Sequence, residues 1–186
     1  MMNFEPWPKI TRLKRGIVVT EKIDGTNAQI AISENGDIQA GSRTRWITPE
    51  KDNAGFARWV EENKDDLLRL GPGRHFGEWW GKGIQRGYGL DEKRFSLFNT
   101  GRWLTNPERP ACCGVVPLLY AGEFNTAVID RIVSELRVNG STAVPGWKNP
   151  EGVVVFHTAS STMSKITLDN DALPKSLVND IRVAIP

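Results

Sequence analysis

A chain of 186 residues with a formal net charge of +2 can bury one sizeable core, and is not a generic polycation that holds nucleic acid by charge alone. It has no run of about 18 apolar residues that would span a membrane, and its opening, MMNFEPWPKI, lacks the apolar centre of a signal peptide. The two cysteines, Cys112 and Cys113, are adjacent, which fits neither a disulfide framework nor a zinc-ligand spacing, so a reducing cytoplasm is the expected location.

Three extended segments come first, at about 16–23, 27–33 and 37–42. Asp24-Gly25 and the run ENGD separate them, both hairpin signals. Residues 20–30, TEKIDGTNAQI, therefore read as a hairpin with a lysine two residues before its turn. Residues 48–70 follow a helical rhythm with Phe56, Trp59, Val60 and Leu67 on one face. Thr48 before Pro49 and Asp52 are equal candidates to cap that helix, and Gly71-Pro72-Gly73 ends it. Strands are expected near 74–80 and 94–99, then an irregular proline-rich segment over 104–114, then one strand over VVPLLYAGEF. A second amphipathic helix over NTAVIDRIVSELRVNG turns Val128, Ile129, Ile132, Val133 and Leu136 inward. EGVVVFH and TMSKITL supply the last strands. Hairpin-linked strands with two interspersed helices predict an α+β fold with antiparallel sheets.

Lys22, Asp24 and Gly25 form K-x-D-G, which by itself is an ordinary Asp-Gly turn. Downstream come GSRTR, HFGEWWG, RFSLFNTG, NPEGVVVFH and MSKITLDND, in that order. Each has a bland reading: Phe98 as core, Glu78 and Lys165 as solvent-facing strand residues, Glu151 as the opening of a strand. Together the six resemble the motif series of the covalent nucleotidyltransferase superfamily, the polynucleotide ligases and mRNA capping enzymes. Within it the chain looks most like ATP-dependent RNA ligases, especially the phage-type branch that seals nicks in duplex RNA. The resemblance runs from about Val18 to Asp171.

The resemblance implies a nucleotidyltransferase domain of antiparallel sheets flanked by helices, with ATP in a cleft between them. Lys22 matches the nucleophile that attacks the α-phosphate of ATP and becomes lysyl-AMP, and Asp24 and Gly25 belong to the same motif. Asn27 stands where capping enzymes and many DNA ligases carry arginine, and the RNA ligase branch often reads GTN there, as this chain does. Arg43 matches an arginine of the catalytic set, with Arg45 as a close rival. Glu78 is expected near the ribose and metal, Phe98 against the base, Glu151 at the metal and Lys165 on the α-phosphate. Lys22, Arg43 and Lys165 are thus the expected catalytic set. Asp24, Glu78 and Glu151 are the expected carboxylates for Mg²⁺ or Mn²⁺. Base-edge contacts that choose ATP are expected around Glu21.

The chemistry suits these types. A lysine amine is a nucleophile only when neutral, and cations gathered around such a lysine favour that form. Carboxylates hold hard cations through oxygen, and an aromatic face binds a purine by stacking. Arg12, Lys14, Arg15, Arg45, Lys82 and Arg86 are candidates for phosphates of the strand, which would make sealing salt-dependent. His75 and His157 are too separated in sequence for a metal pair and read as structural, and the cysteines read as incidental.

Two departures stand out. The family's motif V commonly offers two lysines, whereas MSKITLD offers one, so Lys165 aligns with either the first or the second. Neither an OB-fold nor a helical accessory domain fits in the run NDALPKSLVNDIRVAIP, at most one short helix. Residues 1–186 therefore read as a single catalytic domain, monomeric, with a separate partner able to supply grip on the substrate. The expected substrate is nucleic acid with 5′-phosphate and 3′-hydroxyl ends, RNA by the Asn27 argument. A minimal ATP-dependent DNA ligase, a capping guanylyltransferase and a non-catalytic nucleotide- or RNA-binding module remain as alternatives.

Overall fold

The computed structural model describes residues 2–169. β1 (Gly16–Lys22) turns Ile17, Val19 and Glu21 inward and alternates them with Val18, Thr20 and Lys22. It lies inside a four-stranded sheet with β8 (Leu118–Glu123) on one side and β9 (Gly152–His157) on the other, and β10 (Thr162–Thr167) beyond β9; every pairing is antiparallel. The second sheet has six strands: β2 (Thr26–Ile32), β3 (Ile38–Ser42), β4 (Trp46–Ile47), β5 (Gly73–Gly81), β6 (Lys93–Leu97) and β7 (Cys113–Val115). Their spatial order is β4-β3-β2-β5-β6-β7, antiparallel except for β6 with β7.

Each sheet buries one face under a helix. α4 (Thr126–Asn139) lays Ile129, Ile132 and Leu136 on Ile17, Val19 and Val153 of the four-stranded sheet. The Asn125 side chain caps it by accepting from the Ala127 N–H at 2.9 Å. α1 (Phe56–Glu62) and α2 (Lys64–Leu67) cover the six-stranded sheet, where Phe56, Val60 and Leu67 join Ile30, Trp79 and Phe95. Full burial of such side chains contributes about 1.5–3 kcal/mol each. A smaller cluster of Ile23, Trp80, Tyr88 and Val116 sits where the chain passes between the sheets. Among the described residues no helix is long and apolar enough to cross a membrane.

The α+β class with antiparallel-rich sheets is as expected, and so are the ENGD hairpin between β2 and β3 and helix α4. TEKIDGTNAQI, however, is not a hairpin. β1 and β2 belong to different sheets, and residues 23–25 carry the chain from one to the other. Gly25 is needed there for close approach: a Cβ on it would lie 2.5 Å from the Trp79 carbonyl oxygen and 2.7 Å from the Trp80 Cβ. Gly25→Ala is expected to cost about 1–3 kcal/mol by overpacking against a backbone that cannot swing aside. A thermal melt should show it as a fall of several degrees.

VVPLLYAGEF is likewise two strands, not one. β7 ends at Val115 and β8 begins at Leu118, and Pro117, which has no N–H to give a ladder, carries the second crossing. Its carbonyl instead accepts from the Glu21 N–H at 3.0 Å. The first helix starts at Phe56 rather than at residue 48, because Thr48 closes a bridge to Lys51. Of the two cap candidates, Asp52 reaches the helix, accepting from the N–H groups of Ala57 (2.8 Å) and Arg58 (3.3 Å). Strand β4 and the one-turn helix α3 (Thr100–Trp103) were not expected from the sequence. The short helix considered for 170–186, and Asp171 at the end of the resemblance, lie outside the described residues.

Candidate active site

Lys22 ends β1 on the sheet face turned away from α4. Its Nζ lies 2.6 Å from Glu151 Oε2, with 23% of the lysine side chain and 9% of the glutamate side chain exposed. Glu151 is placed by the bend before β9, and its carbonyl accepts from the Leu168 N–H just past β10 at 2.9 Å. Residues paired across strands share a face. Lys22 stands opposite Gly152 and Gly152 opposite Thr167, while Thr20 stands opposite Val154 and Val154 opposite Lys165. Lys165 therefore lies on the Lys22 face, two strands across and two residues along, at about 12 Å between Cα atoms. Its side chain is exposed. Met163, Lys165 and Thr167 alternate onto that same face, so both alignments of the single motif V lysine put it on the Lys22 side.

The other sheet supplies Glu78. It pairs with Asn27 on β2 and Ser96 on β6, on the face opposite α1. Its Oε1 accepts from the Gly25 N–H at 3.1 Å and its Oε2 from the Asn27 Nδ2 at 3.0 Å. Burial pushes the Glu78 carboxyl up to about 7; the nearby Lys22 charge and the Asn27 amide pull against that shift, and the Glu151 charge adds to it. Phe98 follows β6, its N–H donating to the Phe76 carbonyl at 3.0 Å, and the residue is 40% exposed.

Sequence reasoning missed how the Asp24 turn is held. The loop between β5 and β6 returns over it. The Asp24 N–H donates to the Tyr88 hydroxyl at 2.9 Å, and Arg86 Nε donates to Asp24 Oδ2 at 3.0 Å. Arg86 also donates to Asn149 Oδ1 (2.6 Å) and Asp169 Oδ2 (3.3 Å). This guanidinium is one-fifth exposed and ties together three separate segments, at Asp24, at Asn149-Pro150 and at Asp169, so it is not the free surface cation expected for strand phosphates. The glycine-rich run GKGIQRGYGL was the available signal, but it says only that the loop turns. Asp24 thus faces Arg86, while Glu78 and Glu151 are the carboxylates beside Lys22.

Glu21 points the other way, toward α4. Its buried carboxylate accepts from Ser141 Oγ (2.6 Å) and from the N–H groups of Thr142 (2.8 Å) and Ala143 (2.9 Å). Its side chain is therefore an anchor for the 141–144 turn. Arg43 and Arg45 sit exposed in the turn between β3 and β4, and Lys82 is exposed at the end of β5. Arg12, Lys14 and Arg15 are exposed ahead of β1, at the end away from Lys22 and about 20 Å or more along the chain. His75 donates from Nε2 to the Gly71 carbonyl (2.9 Å) and His157 from Nε2 to the Leu13 carbonyl (2.7 Å), both to backbone and far apart in the fold.

A family model described as RNA ligase matches residues 15–168, from the start of β1 to the end of β10. The chain belongs to the RNA ligase family. No curated protein matches it. Among solved structures, this RNA ligase-family chain resembles the apo form of a Naegleria gruberi RNA ligase variant, with 22% identity over 82% of this chain and 49% of that one, at a TM-score of 0.59. A second variant of Naegleria gruberi RNA ligase, solved with ATP and Mn, gives 20% identity over 83% and 50%, at 0.60. A third, with AMP and Mn, gives 22% over 82% and 49%, at 0.58. The likeness is one of fold, of the nucleotidyltransferase type, and the chain spans about half the length of each of these proteins.

Proposed function

We propose that this chain is the nucleotidyl-transfer module of an ATP-dependent RNA ligase, with Lys22 as its nucleophile. The observation that carries this is the Lys22–Glu151 pair at 2.6 Å, placed where the two sheets meet and within electrostatic reach of Glu78. A core strand rarely ends in a half-buried lysine with two carboxylates around it unless the amine or the carboxylates have work beyond packing.

In the first step the neutral Lys22 amine attacks the α-phosphorus of ATP. A P–N bond forms, the bond to the oxygen bridging to the β-phosphate breaks, and pyrophosphate leaves with that electron pair. The amine proton is lost to solvent or to a carboxylate such as Glu151. Next, an oxygen of a 5′-phosphate attacks that phosphorus, the P–N bond breaks as the lysine nitrogen takes up a proton from solvent or a neighbouring acid, and a 5′–5′ adenylylated strand and a free amine result. A 3′-hydroxyl, giving its proton to solvent or a carboxylate, then attacks the 5′-phosphorus, the phosphodiester forms, the phosphoanhydride bond breaks and AMP leaves with its electron pair. Lys165 and Arg43 are assigned to the phosphate oxygens, and Phe98 offers its exposed face to the adenine. Asn27 holds the Glu78 carboxylate in place.

The Naegleria gruberi structures with ATP or AMP and Mn support ATP and a divalent cation for this chain as well. Among the described residues no group of three or more metal-ligating side chains is gathered. That donor set fits Mg²⁺, which keeps its waters and is commonly held by one or two carboxylates together with substrate phosphates. Glu78 and Glu151 would hold it here, and when bound it supplies charge stabilisation on the phosphate oxygens.

The substrate is tested by labelling the protein with α-labelled ATP and offering it nicked RNA, single-stranded RNA and the matching DNAs. Label should pass to 5′-phosphorylated RNA. Transfer to DNA alone would make this a DNA ligase, and label retained on the protein with all four would contradict strand joining by this chain.

A further inference from the structure

The face of the six-stranded sheet opposite α1 carries a row of side chains that the adenylation chemistry does not use. The cross-strand register places Trp46, Gly41, Gln29 and Phe76 side by side across β4, β3, β2 and β5, and Phe98 extends the same row past β6. The three aromatic rings are open: Trp46 is 46% exposed, Phe76 51% and Phe98 40%. They are built into position. A Cβ at Gly41 would lie 2.8 Å from Gln29 Cγ and 3.0 Å from Trp46 Cε3, so only glycine lets the indole and the glutamine meet over that strand. Arg74, one row further, sets its guanidinium 5.7 Å from the centre of the Trp46 ring. Gln29 Nε2 donates to the Ser42 carbonyl at 3.2 Å, while its Oε1 has no hydrogen-bond partner among the described residues.

We propose that the row Trp46–Gln29–Phe76 is a stacking platform for unpaired nucleotides of the strand to be joined, continuing outward from Phe98. Three features select an unpaired polynucleotide over an apolar protein surface. The rings are spaced by a glycine and a glutamine, not by aliphatic side chains, which suits separate flat bases. Arg74 stands one row beyond the rings, against Trp46, and Arg45 stands exposed on the turn that leads to Trp46, so cations flank the rings where a phosphate backbone would run. The row is also continuous with the ring assigned to the adenine. The inference rests on the RNA ligase reading for the identity of the strand, but on the sheet face alone for the stacking.

The test is fluorescence anisotropy of the full chain with labelled RNA of one sequence, unpaired and as a duplex, at low salt. Trp46→Ala and Phe76→Ala should each weaken binding of the unpaired strand about tenfold or more. Trp46→Phe and Phe76→Tyr should retain most of it, and duplex affinity should change little. Unpaired DNA should behave as RNA does, because stacking ignores the sugar. Equal binding by the alanine variants overturns the platform. So does a wild type that ignores unpaired strands but self-associates through Trp46, which would mark a protein interface. Self-adenylation, assayed in the same variants, should persist. If wild type binds unpaired RNA through these rings yet never self-adenylates, the ligase reading fails and the platform stands.

Discussion

Glu151→Ala is expected to lower self-adenylation roughly a hundredfold or more and to lower the melting temperature. The carboxylate is the direct partner of Lys22 at 2.6 Å and is itself only 9% exposed, so its removal leaves the lysine amine without its partner. Breaking such a pair costs about 3 kcal/mol at the lower end of the measured range, and the partial exposure of Lys22 favours that end. For a chain of this size that is about 6–12 °C. Lys22→Ala should destabilise at least as much, because it strands the more buried member. The double variant should recover part of the loss. Additive losses in denaturation would show that the two groups are not coupled.

The second large effect is a pH dependence of stability set by Glu78. Its carboxyl titrates at about 7 in the folded protein and at 4.5 by the ordinary value. Between those two values the folded state binds a proton that the unfolded chain has released. The stabilisation is therefore complete below 4.5 and is lost as pH rises through 7, amounting to about 3 kcal/mol. Glu78→Gln keeps an acceptor for the Gly25 N–H and never ionises, so it should remove this slope. Urea denaturation at pH 5 and pH 8 reads the difference. A wild-type stability that is flat over that range, or the same slope in Glu78→Gln, would contradict the buried-carboxyl account. In the ligase reading the ionised form is the one that holds the cation, so self-adenylation at limiting Mg²⁺ should rise through the same range in wild type. More Mg²⁺ should move that rise to lower pH, because cation and proton compete for one carboxylate.

Local pattern carried much of the fold. The 3.6-residue rhythm of Val128 to Leu136 and the cap at Asn125 specify α4 without reference to anything distant. The motif residues Lys22, Glu78 and Glu151 were legible because each is tied to a short run with its own spacing. What periodicity could not say was which sheet a strand joins. β1 and β2 alternate inward and outward as a hairpin pair would, and Asp24-Gly25 bends the chain in either arrangement. The decision lies in the contact of Gly25 with the Trp79 carbonyl, more than fifty residues later. The same limit hid the second crossing, although Pro117 marks where a ladder must break. Arg86 read as one more surface cation because its four partners come from residues 24, 149, 150 and 169. Base-edge contacts are expected from the segment around Glu21, and the sequence does not show that the Glu21 side chain itself, sent by strand alternation to the face opposite Lys22, meets the 141–144 turn.

The central claim is that the chain bends at Asp24-Gly25 to set the Lys22 amine, partnered by Glu151, where the α-phosphate of ATP is attacked. Mass mapping of peptides from protein incubated with ATP and Mg²⁺ tests it most directly. A single acid-labile AMP on the peptide that contains Lys22, absent from Lys22→Ala and not formed from GTP, is the predicted result. AMP on any other residue, or an adduct that survives in Lys22→Ala, would contradict it.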